Sequence, residues 1–183
     1  MPRDVLDRYY TPDALADACV QRLRWAYGLH STATVVEPSV GGGAWVRALL
    51  RHGVGAVDGY DLDADAPGLG LCARATVGDW VQAKADERTW DWAVGNPPYR
   101  HTDAHVAAAL LRASNVAMLL RVGWLCGQRR SAMLRAHVPS DVVFIRGRPS
   151  FTEDGGADTS EYAMVIWRAG ASNTTHAEWL SWR

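Results

Sequence analysis

A chain of 183 residues, 48% of them hydrophobic, carries enough apolar side chain for one sizeable core. No stretch approaches the roughly 20 apolar residues that cross a bilayer, and the N-terminus lacks the basic-then-apolar layout of a signal peptide. The cysteines Cys19, Cys72 and Cys126 are odd in number and far apart, which excludes a disulfide framework and a zinc knuckle and fits a reducing, cytoplasmic setting.

Tyr9-Tyr10-Thr11-Pro12 precedes a helical pattern over 13–27, in which Leu15, Ala18, Cys19, Leu23 and Ala26 recur at helical spacing. Thr11 is placed as its N-cap and Pro12 as its first residue. A β-branched run, Val35-Val36, then ends in Glu37-Pro38-Ser39-Val40-Gly41-Gly42-Gly43, and a helix follows over 44–51. A strand feeding a glycine turn at a helix N-terminus lets backbone approach a ligand closely and attracts negative groups. A second strand over 56–61 ends in Asp61, 18 residues beyond Gly43, where an acid can accept ribose hydroxyls of a nucleoside. A short third strand over 73–77 closes in Gly78-Asp79-Trp80.

The fourth strand, Trp92 to Val94, runs into Gly95-Asn96-Pro97-Pro98-Tyr99. The prolines remove two donors and fix two φ angles, leaving a stiff loop with an amide and an aromatic ring at a strand's carboxyl end. In open α/β sheets ligands bind there. A helix follows over 103–113; His101, ahead of it, and His105, four residues on, lack the further ligands a metal site needs. Residues 116–120 read as a fifth strand, 124–137 as a helix, 142–145 as a sixth strand and 161–167 as a seventh. Residues 1–98 carry 9 Lys/Arg against 13 Asp/Glu, residues 99–183 carry 10 against 7, and six arginines fall between 121 and 148 against Asp141 alone. Such a patch, with Arg129, Arg130 and Arg148 as candidates, suits phosphate contact. The segment 169–183 is rich in Ser, Asn and Thr and receives no assignment.

Alternating strands and helices predict a doubly wound, mostly parallel α/β sheet of seven strands in one domain. The motifs Glu-Pro-Ser-x-Gly-x-Gly, Asp61, Gly-Asp-Trp, Asn-Pro-Pro-Tyr and the tail Arg-Pro-Ser-Phe-Thr, in this order, resemble the small phage- and prophage-type DNA N6-adenine methyltransferases. The resemblance spans Tyr9 to Trp167 and implies the S-adenosylmethionine (SAM)-dependent methyltransferase fold, with the last strand antiparallel and no separate target-recognition domain. It implies that Tyr10, Thr11, Glu37, Pro38, Gly41, Gly43, Asp61, Asp79, Trp80 and Asn96 hold SAM. It also implies that Asn96, Pro97, Pro98 and Tyr99 form the catalytic loop, with Tyr99 and Phe151 packing on an adenine that is flipped out or single-stranded. No metal is implied; a homodimer is compatible with the reading. The alternatives are an RNA adenine or protein glutamine N-methyltransferase, since an amide presents the same planar NH2, and a non-catalytic SAM- or nucleic-acid-binding subunit.

Overall fold

The computed structural model describes residues 10–83, 89–151 and 159–182. Tyr9, and the expected polar loop 153–160 up to residue 158, fall outside them.

An eight-stranded sheet organises the chain: β1 (Val35–Glu37), β2 (Val57–Asp61), β3 (Arg74–Val77), β4 (Trp90–Gly95), β5 (Ala113–Arg121), β6 (Asp141–Ile145), β7 (Tyr162–Trp167) and β8 (His176–Leu180). Their order is β3-β2-β1-β4-β5-β7-β6-β8. The first five strands are mutually parallel, and β7 runs antiparallel to both β5 and β6. The reversal of chain progression beside β1 and β4 is the switch point where open α/β sheets bind ligands.

The period of two along a strand explains how one sheet feeds two cores. From β5, Ala117 and Leu119 pack on one face with Leu15, Cys19 and Leu23 of α1 (Asp13–Ala26) and Trp45 and Leu49 of α2 (Ala44–Arg51). Val116, Met118 and Leu120 pack on the other face with Val106 and Ala109 of α3 (Thr102–Arg112). Leu23 is fully buried, so truncating it to Ala costs about 2–5 kcal/mol.

Three expectations are corrected. Thr11 is not a helix cap: Pro12, with extended ψ of 135°, precedes α1 and its carbonyl accepts the Leu15 and Ala16 N–H groups, while Thr11 Oγ1 accepts the Trp45 indole N–H at 3.1 Å. The expected helix over 124–137 is broken into α4 (Val122–Leu125), a 3₁₀ turn (Gln128–Arg130) and α5 (Ser131–Ala136). Gly123 and Gly127 lower the helical preference there, and the Arg130 side chain folds back against Gly127 and the Trp124 carbonyl. The third concerns the strand count. The unassigned tail supplies β8, parallel to β6; its Glu178 accepts from Arg22 Nε at 2.8 Å and from the Tyr27 hydroxyl at 2.5 Å, tying it to α1. Trp179 stacks on Phe144 across the same pair of strands. No helix among the described residues is long and apolar enough to cross a membrane.

Candidate active site

The glycine turn between β1 and α2 is built from positive φ angles. Gly41 has φ 48° and Gly43 φ 80°, and the Gly43 N–H bonds the Val40 carbonyl at 2.8 Å. A Cβ on Gly43 would lie 2.8 Å from Gly68 Cα, so this turn packs against the neighbouring 3₁₀ segment Pro67–Leu71 with no room for a side chain. Over its outer face lies the Tyr10 ring, 3.1 Å from where a Gly41 Cβ would be. Asp61, ending β2, fastens the turn from the other side. Its Oδ2 accepts the Gly41 N–H at 2.7 Å and its Oδ1 the Asp63 N–H at 2.9 Å.

Beneath this turn sits a carboxyl group taken out of water. Glu37 is 1% exposed, and among the described residues its Oε2 has no hydrogen-bond partner. Its Oε1 lies 2.9 Å from where a Cβ on Gly95 would be, which makes glycine the residue that fits the end of β4. Burial, and then the nearby Asp61 charge, raise the Glu37 carboxyl well above the usual carboxylate range.

Two neighbouring cavities open at the carboxyl ends of the strands. The larger, about 450 Å³, is bordered by the Tyr10 ring, Asp61, the Gly78–Asp79 turn and the whole of Asn96–Tyr99. The smaller, about 160 Å³, lies at the glycine turn and reaches Thr11 and Glu37. Asn96 borders both. The stiffness expected of its loop is real: the Pro98 carbonyl accepts the His101 N–H at 3.0 Å and the Thr102 hydroxyl at 3.2 Å, so the loop is capped directly onto α3. Asp79 Oδ1 accepts the Val81 N–H at 2.9 Å, and the residue lines the larger cavity.

The aromatic residues behave differently from expectation. Trp80, which the resemblance places among the SAM-holding residues and whose position at a helix start also suits a core side chain, is 1% exposed and wedged against Tyr60 (5.1 Å between centroids) and Trp90 (5.8 Å), with the Arg112 guanidinium 4.6 Å over its ring. It is a core residue whose edge borders the cavity. Tyr99 and Phe151 are adjacent, but in edge contact at 6.2 Å, and Tyr162 closes on both. The Arg121 guanidinium lies 4.2 Å over the Tyr99 ring, so a face expected to stack on a target base is covered. No flat ring fits between Tyr99 and Phe151 as they stand. Burial, followed by Tyr162, raises the Tyr99 hydroxyl far above the ordinary phenol range.

The expected phosphate contacts are also partly engaged. Arg130 Nε bonds Asp103 at 2.6 Å and Arg148 Nη2 bonds Glu161 at 2.7 Å, whereas Arg129 is exposed. Among the described residues no three His, Cys, Asp or Glu groups gather to hold a metal.

His105 is the site residue that sequence reasoning missed as a wall of the cavity. It borders the larger cavity at 6% exposure, and its Nδ1 lies 3.3 Å from the Ser39 hydroxyl of the glycine turn. Burial pushes its imidazole down to about 4, against the pull of the Asp79 charge. It is therefore neutral at physiological pH. Its spacing from His101 drew attention to metal ligation; only the fold brings it beside Ser39 and Asp79.

No protein-family model and no curated protein matches the chain. Solved structures do match in three dimensions. A protein of Listeria monocytogenes, provisionally assigned as a class I SAM-dependent methyltransferase, aligns with TM-score 0.73 at 9% identity, covering 97% of this chain and 67% of that one. A provisionally assigned RNA methyltransferase of Pyrococcus horikoshii gives 0.73 at 12% identity, over 90% and 88% of the two chains. The M protein of the type I restriction enzyme EcoKI gives 0.69 at 12%, over 96% of this chain and 49% of its own. The fold is the Rossmann-like fold of the SAM-dependent methyltransferases. At these identities the likeness concerns architecture, and substrate has to be argued from the site.

Proposed function

We propose that this chain is an enzyme that transfers the methyl group of SAM to the exocyclic N6 amino group of adenine in DNA. One observation carries the reading: Asn96, on a proline-stiffened turn, sits where the nucleoside-sized cavity meets the glycine-turn cavity. The cofactor fits the donors and acceptors present. Glu37, Asp61 and Asp79 offer three carboxyl groups to a ligand rich in N–H and O–H donors and bearing a sulfonium and an ammonium charge. The glycine turn offers close backbone approach beside them. Glu37, Pro38, Gly41, Gly43, Asp61, Asp79 and Tyr10 would hold it. When bound, SAM supplies an electrophilic methyl group on sulfur.

The chain's contribution follows from amide chemistry. The lone pair of an exocyclic amino group is delocalised into its ring, so the nitrogen is a poor nucleophile. The Asn96 side-chain oxygen and the Pro97 carbonyl can accept its two N–H groups, favour a tetrahedral nitrogen and stabilise the positive charge that develops during attack. The capped Asn-Pro-Pro-Tyr loop holds these acceptors in place before the substrate arrives, which contributes through orientation. The methylated nitrogen is acidic enough to lose its proton to water, so no separate base is needed. The Tyr99 ring becomes a stacking platform once Arg121 moves aside, and an arginine released beside a flipped nucleotide is well suited to its phosphate.

DNA is favoured by the arginines at 121, 129, 146 and 148 on the chain's basic half, and by the fold likeness to the EcoKI M protein. The likeness to the Pyrococcus protein keeps RNA as the second reading. The test separates binding from chemistry: Asn96→Ala is expected to bind SAM near wild-type affinity while transfer falls roughly 10²–10³-fold or more. Transfer at a near wild-type rate would overturn the assignment.

A further inference from the structure

His105 is not used by this mechanism, yet it occupies a wall of the larger cavity between two elements that are. The Ser39 hydroxyl meets its Nδ1 at 3.3 Å, and among the described residues its Nε2 has no hydrogen-bond partner. The ring is neutral, and the neighbouring Asp79 leaves one carboxylate oxygen without a partner among the described residues. The contact admits either direction; in the tautomer where the Ser39 hydroxyl donates to Nδ1, the neutral ring carries its proton on Nε2. In that tautomer the wall presents one N–H donor, on a buried ring, near the half-buried Asp79 carboxylate.

Resting on the SAM reading of this cavity, we infer that His105 is a cofactor-binding residue. Its Nε2–H donates to one of the two ring nitrogens that flank the 6-amino group of the cofactor's adenine, while Asp79 accepts from that amino group. A donor next to an acceptor is the complement of an aminopurine edge. A 6-oxopurine reverses the pattern at the exocyclic position and leaves Asp79 facing an oxygen. In this arrangement the Ser39 hydroxyl fixes the tautomer, so the glycine turn sets the direction in which the α3 side chain donates.

The experiment is a calorimetric cycle on the full chain with S-adenosylhomocysteine and its 1-deaza and 7-deaza analogues, each replacing one flanking nitrogen by C–H. In the wild type, one of the two analogues is expected to bind roughly 3- to 10-fold more weakly than the parent, the range for one neutral hydrogen bond. In His105→Phe the parent is expected to weaken by a similar factor and the penalty for that analogue to vanish. His105→Asn retains a polar group near Ser39 but cannot reach as Nε2 does, and serves if the Phe variant does not fold. Both analogues binding the wild type as well as the parent does would overturn the inference, as would a deaza penalty that persists in the variants. A wild type that binds no S-adenosylhomocysteine at all would instead remove the cofactor reading itself.

Discussion

Replacing Gly43 by Ala tests the geometry of the glycine turn with numbers that can be worked in advance. At φ 80° a residue with a Cβ sits in the left-handed region, at a cost of roughly 1–2 kcal/mol. The new methyl would also lie 2.8 Å from Gly68 Cα and 2.9 Å from Leu71 Cδ1. The first of these is backbone, and such overpacking adds roughly 1–3 kcal/mol. The expected loss is therefore about 2–5 kcal/mol, a large part of a typical domain's stability. Gly53→Ala is the control: φ is 85° but nothing lies within 4 Å of its Cβ position, so only the backbone cost of about 1–2 kcal/mol applies. Urea unfolding at 25 °C followed by circular dichroism measures both; at an m-value of about 2 kcal/mol per M, the Gly43 variant loses roughly 1–2.5 M in midpoint. A Gly43→Ala midpoint no lower than that of Gly53→Ala would refute the close packing of turn on 3₁₀ segment.

Three further outcomes are expected. The depressed imidazole of His105, faced by Asp79 and His101, binds fewer protons folded than unfolded, so it stabilises above pH 6.5 and the effect is lost as pH falls toward about 4. The drop is about 3 kcal/mol over that window, and His105→Phe is expected to flatten that part of the stability–pH curve. Glu37 has the opposite sign: its folded carboxyl is raised, so its unfavourable contribution grows as pH rises above the usual carboxylate range. Glu37→Gln is accordingly expected to gain stability relative to wild type between pH 4.5 and 7, as read by denaturant titration at each pH. Arg129→Ala, at an exposed arginine for which the described residues hold no ion pair like that of Arg130, is expected to weaken DNA binding similarly for all sequences and lower the salt slope of log K by about 1; filter binding from low to moderate salt reads it.

Local chemistry made much of this architecture legible. The span 44–51 expected for α2 is the observed helix, and the five parallel strands fall where β-branched or apolar runs end in turn residues. Backbone-determined parts of the site, the glycine turn and Asn96–Pro98, were equally readable, because glycine and proline act through φ at their own positions. What escaped depended on contacts distant in sequence. Thr11 looks like a cap until Trp45, 34 residues on, claims its hydroxyl. Trp80 and Tyr99 look available until Arg112 and Arg121 lie over their rings. The β8 strand has weak local preference and is held by its register on β6 and by Glu178 bridging to α1. His105 acquires meaning only through Ser39, 66 residues earlier.

Methyl transfer to an exocyclic adenine nitrogen, organised by Asn96, is tested most directly by incubating the chain with methyl-labelled SAM and, separately, DNA, RNA and protein acceptors, then digesting to nucleosides and amino acids. Label recovered as N6-methyladenine from DNA, and absent from the same incubation with Asn96→Ala, is the predicted result. Label recovered only in methylated glutamine, or undiminished in the Asn96 variant, would contradict the account.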